Sequence, residues 1–391
     1  MRTSRRVRAF VWSAARMLPS ALLGISGLAV GFVARPACPA VGDTGAEPLT
    51  FFVTSDCHYK SGDKAAFNER NHATVLRMNS LPGSEFPDKV GGGKIGRPRG
   101  VLALGDLVDD GDRAGQTEPQ WRSFVADFGL DGTDGVLRFP VFEGWGNHDG
   151  PPAAAAKGGF SVQAQIRERN QARRAKGLIA NLSANGLHYS WDSGGVHFVQ
   201  LNLYPGDRYH PQSKYSAVWH DPQMSLSFLT EDLRKNVASS GRPVVLAAHA
   251  GFDTDWWHRD EWKAFYDAVK PYNVIAYFHG HTGTGIYKWK PEGEEKPLDV
   301  VNTGQTENGF FVVEVGESRL RLGYYRKNVR NKEWDGTWDW QHFLQKTIQR
   351  AAPPQPAAAP GRPTAAPGEE GAAHRPAEAP GPGAAADKGR S

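Results

Sequence analysis

The sequence predicts a layered α/β protein with a mixed β-sheet, and two observations carry that prediction. Between residues 45 and 330, short apolar runs bounded by polar, glycine-rich corners alternate with longer charged stretches of helical character. Toward the end of that span strand-like runs follow one another with no helix between them, so strands of both directions are expected in the layers.

The apolar runs are Leu49–Thr54, Gly100–Leu104, Phe139–Phe142, Val196–Leu201, Pro243–Ala248 and Asn273–Phe278. Runs this short between turn signals suit strands buried on both faces. Residues 65–78, 163–182, 224–239 and 260–269 have the length and charge of covering helices. Gly309–Val315 and Arg319–Tyr325, joined at Gly316-Glu317-Ser318, read as a closing hairpin.

The flanks differ from this body. Residues 1–16 carry five arginines and no acid, residues 17–34 carry no charge, and small residues lead to Ala40. That order describes a secretory signal cut after Ala40, the other reading being an uncleaved N-terminal membrane anchor. Both place the body outside the cytoplasm, in a periplasmic, extracellular or membrane-tethered setting. At the other end, residues 351–391 hold 14 Ala, 9 Pro and 6 Gly with no aromatic, Val, Ile, Leu or Met, so they cannot offset the entropy of ordering. The expected organisation is a signal or anchor over 1–40, a catalytic domain over 41–345 and a disordered tail over 346–391.

Formal charge is +4 for the whole chain, but the first 40 residues contribute six arginines, so the exported body stands at −2. A near-neutral body lacks the basic surface that drives nucleic-acid binding, and no nucleic-acid partner is expected. Only Cys38 and Cys57 are present, which leaves no disulfide framework.

The chemistry follows the strands. Ser55-Asp56-Cys57-His58 succeeds the first run, Gly105-Asp106 the second, and Gly144-Trp145-Gly146-Asn147-His148-Asp149 the third. His249 succeeds the fifth, and His279-Gly280-His281 closes the sixth. Loops at strand ends are where rigid scaffolds carry binding groups. Each motif alone is weak; the ordered set of carboxylates, imidazoles and an amide is specific.

The set resembles the calcineurin-like metallophosphoesterase superfamily, whose blocks run Asp-x-His, Gly-Asp, Gly-Asn-His-Asp/Glu, His and Gly-His-x-His. The resemblance spans about residues 48–315. It implies a four-layer α/β/β/α sandwich of two packed mixed sheets flanked by helices, a dinuclear metal centre and a phosphate-ester substrate. It further implies hydrolysis of a phosphomonoester or phosphodiester by metal-activated hydroxide. By block, Asp56 and His58 match ligands of a first metal, Asp106 the bridging carboxylate, and Asn147, His249 and His281 ligands of a second. His148 matches the histidine that stabilises the transition state or protonates the leaving group. Two cations neutralise the phosphate and make hydroxide available near neutral pH, and mixed His, Asp and Asn donors suit Fe, Mn or Zn.

One block departs from the pattern. It reads Gly280-His281-Thr282-Gly283, with glycine where the family has its second histidine. Either His279 supplies the missing imidazole, or the first metal keeps three protein ligands and water. A non-catalytic phosphate-ligand binder with a decayed first-metal site is the alternative function. Among other residues, Cys57 is expected to turn away from the metals by strand alternation, and Asp109 to orient a ligand. Asp110 and Asp112 are expected to be solvated, His188 and His197 to be structural. The Trp256-Trp257-His258 cluster is open to either packing or substrate contact.

Overall fold

The computed structural model describes residues 48–210, 217–254, 256–331 and 333–349. The expectations for residues 1–40 and for 351–391 lie outside the described residues. Among the described residues, no helix is long and apolar enough to cross a membrane.

In chain order the first strands are β1 (Leu49–Thr54), β2 (Val101–Leu104), β3 (Val141–Gly144), β4 (Asn181–Leu182), β5 (Tyr189–Ser193) and β6 (Val196–Gln200). They are followed by β7 (Pro243–Ala247), β8 (Asn273–His279), β9 (Thr284–Trp289), β10 (Leu298–Thr303), β11 (Gly309–Val315), β12 (Arg319–Arg330) and β13 (Glu333–Thr347). The helices are α1 (Asn68–Ser80), α2 (Thr117–Phe128), α3 (Val162–Ala175), α4 (Ser225–Asp232) and α5 (Arg259–Val269).

Two mixed sheets result. One runs β13-β12-β11-β1-β2-β3, the other β4-β5-β6-β7-β8-β10-β9. In the first, β1, β2 and β3 are parallel while β11 returns antiparallel against β1. In the second, β6, β7, β8 and β10 are parallel.

The sheets pack on each other through one apolar layer. Phe51 of β1 meets Phe198 and Phe278 edge-on at 5.1 and 5.9 Å, and Phe142 stacks on Trp191 at 4.1 Å. A second cluster covers the outer faces, where helix residues such as Val75, Phe124, Ile166 and Phe265 pack. Both faces of β1, β2 and β7 are therefore buried, as is β8 from Ile275 onward, which is why those runs are mostly apolar.

All six apolar runs form strands, with shifts of up to two residues at their ends. The helix expected over 163–182 is shorter. It starts where Ser161 Oγ caps the Ala164 N–H at 3.4 Å and stops at Ala175, because Gly177 takes a left-handed conformation (φ 71°). Its expected last turn is strand β4 instead. Helix α2 and strands β9, β10 and β13 were not anticipated. Strand β13 pairs with β12 as far as Thr347, past the domain limit placed at 345, and Ile348 is buried.

His188 links the layers beneath the site, in the structural role expected for it. Its Nε2–H donates to the Gln223 carbonyl (2.9 Å), and its Nδ1 accepts from Asn202 Nδ2 (2.9 Å). Asn202 Oδ1 in turn accepts the Trp145 N–H just after β3 (3.1 Å). Burial lowers the His188 pKa to about 4, so protonation in the fold forces a proton onto the Asn202 contact. The unfolded chain takes up that proton first, so this group's stabilising contribution is full above about pH 6.5 and is lost as pH falls toward 4. Denaturant titrations should show stability falling across that window by roughly 2–4 kcal/mol from this group. His188→Gln should be less stable at pH 7 and show a shallower acid slope.

Candidate metal centre

Every candidate loop leaves the C-terminal end of a parallel strand. Asp56 and His58 follow β1, Asp106 follows β2, and Asn147 and His148 sit in a single helical turn after β3. His249 follows β7, and His281 follows β8. Since β1–β3 belong to one sheet and β7–β8 to the other, the site lies where the two sheets' strand ends meet.

The backbone there is strained. Asp56 (φ 49°), His58 (45°), Asp106 (51°) and His281 (71°) are all left-handed, a conformation that non-glycine residues rarely adopt. This geometry, rather than strand alternation, turns Cys57 away, because β1 ends at Thr54. The Cys57 thiol is buried 3.2 Å from Thr306 Oγ1, and burial pushes its pKa well up. Close approach requires glycine at two points. A Cβ on Gly146 would stand 2.3 Å from Asp106 Oδ1, and one on Gly280 1.9 Å from Ser55 Oγ.

Asp106 is the centre of the arrangement. Its Oδ1 accepts the His148 N–H at 2.7 Å, while its Oδ2 lies 3.3 Å from His249 Nε2 and 3.8 Å from His58 Nε2. Two groups of metal-binding side chains share it: His58, Asp106 and His148, and Asp106, His249 and His281, each with donor atoms within 4.8 Å of one another. His249 Nε2 also lies 2.9 Å from Asn147 Oδ1, and its Nδ1–H donates to the Leu104 carbonyl at 2.9 Å. Asp56 Oδ1 lies 3.9 Å from His58 Nε2, and its Oδ2 accepts the His281 N–H at 3.0 Å.

The titrations in the cluster turn on burial and on the Asp106 charge. Burial alone would lower His249, yet the Asp106 carboxylate against it lifts its pKa to about 9. Burial opposes ionisation of Asp106 as well, but His249, His148 and His58 hold it below the usual carboxylate range. Burial and then His249 drive His281 down to about 3, leaving the neutral imidazole that a metal ligand needs. Oxygen and nitrogen donors with no thiolate suit Mn, Fe or Zn, so the residues present fit the implied metals.

His279 is not brought to the cluster. Its Nδ1–H donates to the Gly280 carbonyl at 2.9 Å, and its Nε2 accepts from the Tyr287 hydroxyl at 3.0 Å. The ring lies over Gly251, fully buried, with its pKa lowered by that burial to about 4. The reading in which His279 replaces the missing ligand is therefore corrected: β8 continues to His279 and aims it toward the Tyr287 side. Gly283 opens onto free space, for a Cβ there would meet nothing within 4 Å.

Other expectations divide. Asp109 Oδ1 accepts Lys60 Nζ (2.8 Å) and lies 3.8 Å from His58 Nδ1, while its carbonyl accepts the His148 Nδ1–H at 2.8 Å. Asp112 is buried rather than solvated, accepting the Lys157 N–H at 2.6 Å. His197 sits between Asp192 and Asp232 at 2.7 and 2.6 Å, as a structural residue does. Trp257 is core, whereas Trp256 stands edge-on to His281 at 5.0 Å.

Sequence reasoning gave no role to Asp149, although it is the last residue of the Gly-Asn-His-Asp block. Fully buried, it accepts the N–H groups of Leu107 and Val108 on one oxygen (2.8 and 3.0 Å) and that of Gly146 on the other (2.7 Å). It ties the loop bearing Asp106 to the loop bearing Asn147 and His148. Burial and the nearby Asp106 charge push its carboxyl up to about 7.

Two mixed sheets with flanking helices, their strand ends meeting at one cluster, make up the metallophosphoesterase α/β sandwich fold. The chain belongs to the calcineurin-like phosphoesterase family, whose pattern matches residues 49–284. No curated protein matches it. Among solved structures it is similar to GAP50, the anchor in the inner membrane complex of Plasmodium (10% identity, 78% of this chain and 90% of that one, TM-score 0.43). It is also similar to Vacuolar Protein Sorting 29 from Cryptosporidium parvum (11%, 77% and 100%, TM-score 0.31). A third similarity is to the Haemophilus influenzae NAD nucleotidase NadN (12%, 77% and 50%, TM-score 0.32). These likenesses are too low to bear on substrate or mechanism.

The two histidines of the last block should behave differently. His279→Ala should leave metal content unchanged and cost about 1–3 kcal/mol, since it strands the Tyr287 hydroxyl, while the Gly280 carbonyl keeps the Thr282 N–H. His281→Ala should lose metal. Elemental analysis of both variants, beside denaturant melts, checks the pair.

Proposed function

We propose that this chain hydrolyses phosphomonoesters or phosphodiesters with two metal ions held on either side of Asp106. The observation that supports this most directly is the sharing of Asp106 by two groups of metal-binding side chains. On this reading Asp56 and His58 serve one ion, and Asn147, His249 and His281 the other. When bound, the ions neutralise the phosphate charge and supply hydroxide near neutral pH.

The chain's own residues do the rest. His148 is exposed, and its Nδ1–H is held by the Asp109 carbonyl, which leaves Nε2 on the open side of the cluster to carry a proton to a leaving oxygen. Asp109 also holds Lys60 beside the site, and Lys60 places a positive charge near any bound anion. The near-neutral body favours small phosphate esters over nucleic acid. The N-terminal residues 1–40 support action outside the cytoplasm, as a secreted or tethered hydrolase.

A second reading, non-catalytic phosphate-ligand binding, is favoured by one observation: His279 points away and Gly283 offers no ligand, so the last block gives the first metal no imidazole.

Hydrolysis of mono- and diester substrates should vanish on chelation and return with Mn, Fe or Zn. Asp106→Ala should lose both metals together, as elemental analysis will show. Persistent activity in metal-free protein would refute the proposal. His148→Ala should keep its metals and lose about 10²–10⁴-fold in kcat; retention of full turnover would favour another proton donor. Because the space beside Gly283 is open, Gly283→His should tighten the first metal, measurable by metal titration. If hydrolysis appears only in that variant, the binding reading holds for the natural chain.

A further inference from the structure

Away from the candidate metal centre, two imidazoles lie face to face. His210, on the segment after β6, stacks on His258, the residue that caps α5, with ring centroids 3.5 Å apart and planes 4° from parallel. Asp260 reaches both: its Oδ2 is 3.5 Å from His258 Nδ1 and 4.0 Å from His210 Nε2. One donor atom from each of the three lies within 4.8 Å of the others.

We propose that His210, His258 and Asp260 bind one divalent transition-metal ion of zinc's class, separate from the ions at Asp106. The distances decide between this and a simple hydrogen-bonded cluster. Good N–H···O bonds are about 2.7–3.2 Å long. Tetrahedral ligands about 2.0–2.1 Å from one ion stand about 3.3 Å from each other. The carboxylate is thus too far for a good hydrogen bond to either ring; its 3.5 Å to His258 Nδ1 is near the separation of ligands that share an ion, and its 4.0 Å to His210 Nε2 is one that a ring turn must close. Imidazole and carboxylate without thiolate are donors that suit zinc. Binding asks one ring to turn about its Cβ–Cγ bond, so that both in-plane lone pairs meet. When His258 is the ring that turns, it leaves the stack and gives up a long cap, its Nδ1 on the Asp260 N–H at 3.4 Å.

Glu261 Oε2 is buried without a hydrogen-bond partner, and burial, then Asp207 and Asp260, push its carboxyl up to about 7. The adjacent cation Arg259 lies over the Trp262 ring at 5.6 Å. Acids at a helix start are favoured by the helix dipole alone, but that does not account for two imidazoles converging on the same carboxylate. An ion here clasps the segment after β6 to the start of α5. Trp256, two residues before His258, borders His281 edge-on at 5.0 Å, so the clasp also steadies one wall of the Asp106 centre.

The test uses the full chain, stripped with chelator and titrated with zinc alone, with bound metal counted by elemental analysis. Wild type should hold one more equivalent than His210→Gln/His258→Gln, and Asp106→Asn should keep that equivalent. Equal zinc in wild type and the double variant would overturn the site. The Asp260 side chain is 78% exposed, so Asp260→Asn tests the site without threatening the fold. It should weaken one zinc-binding step by more than about tenfold, since even groups that only orient metal ligands cost about 10–100-fold. An unchanged titration in Asp260→Asn overturns the proposal as surely.

Discussion

The site depends on one buried carboxylate. Asp106 is 1% exposed and charged, a state that low-dielectric surroundings penalise heavily unless donors and cations surround it. Three strand-end loops meet that demand. The loop after β3 supplies the His148 N–H, the loop after β7 supplies His249, and the loop after β1 supplies His58. Gly146 lets the chain come this close, because any side chain there would collide with the carboxylate. The charge of Asp106 also lifts His249 well above its ordinary value against burial, and adds to the burial that raises Asp149.

Holding four non-glycine residues in left-handed conformations within one centre costs energy, on the order of 1–3 kcal/mol each. The compensation is visible in the hydrogen bonding. Asp149 accepts three backbone N–H groups across two loops, and Asp56 accepts the His281 N–H from the opposite sheet. The sheets themselves are locked by the Phe51 and Phe142 contacts, so the strand ends are fixed before any ligand arrives. Rigidity of this kind suits a site whose donors must converge on small ions.

The last block shows how one residue changes a site. Glycine at 283 removes an imidazole from the family's pattern, and the adjacent candidate is occupied elsewhere. His279 is drawn into a buried pair with Tyr287 because β8 runs through it, and β9 brings Tyr287 across. The first-metal side is left with Asp56, His58 and the shared Asp106. His148 lies close enough to that side to belong to the same cluster of donors.

The amino-acid order by itself made legible the six apolar strands, the closing hairpin and the loops whose polar groups the fold brings together. Apolar runs read directly as buried strands, and polar groups after them stand out because nothing else in a strand-end corner requires them. Where local signals compete, the sequence was less legible. Helix α3 ends early through the left-handed Gly177, and β13 alternates polar and aromatic residues in a way that only its pairing with β12 resolves. Other features were decided by tertiary structure alone. Whether His279 faces the ions, whether Asp149 ties two loops, and whether Trp256 or Trp257 lies at the site depend on contacts between residues far apart in the chain. So does the meeting of His210 with His258 and Asp260. Spacing along a chain sets which face a residue occupies, but the direction of a ring is set by whichever distant partner packs against it.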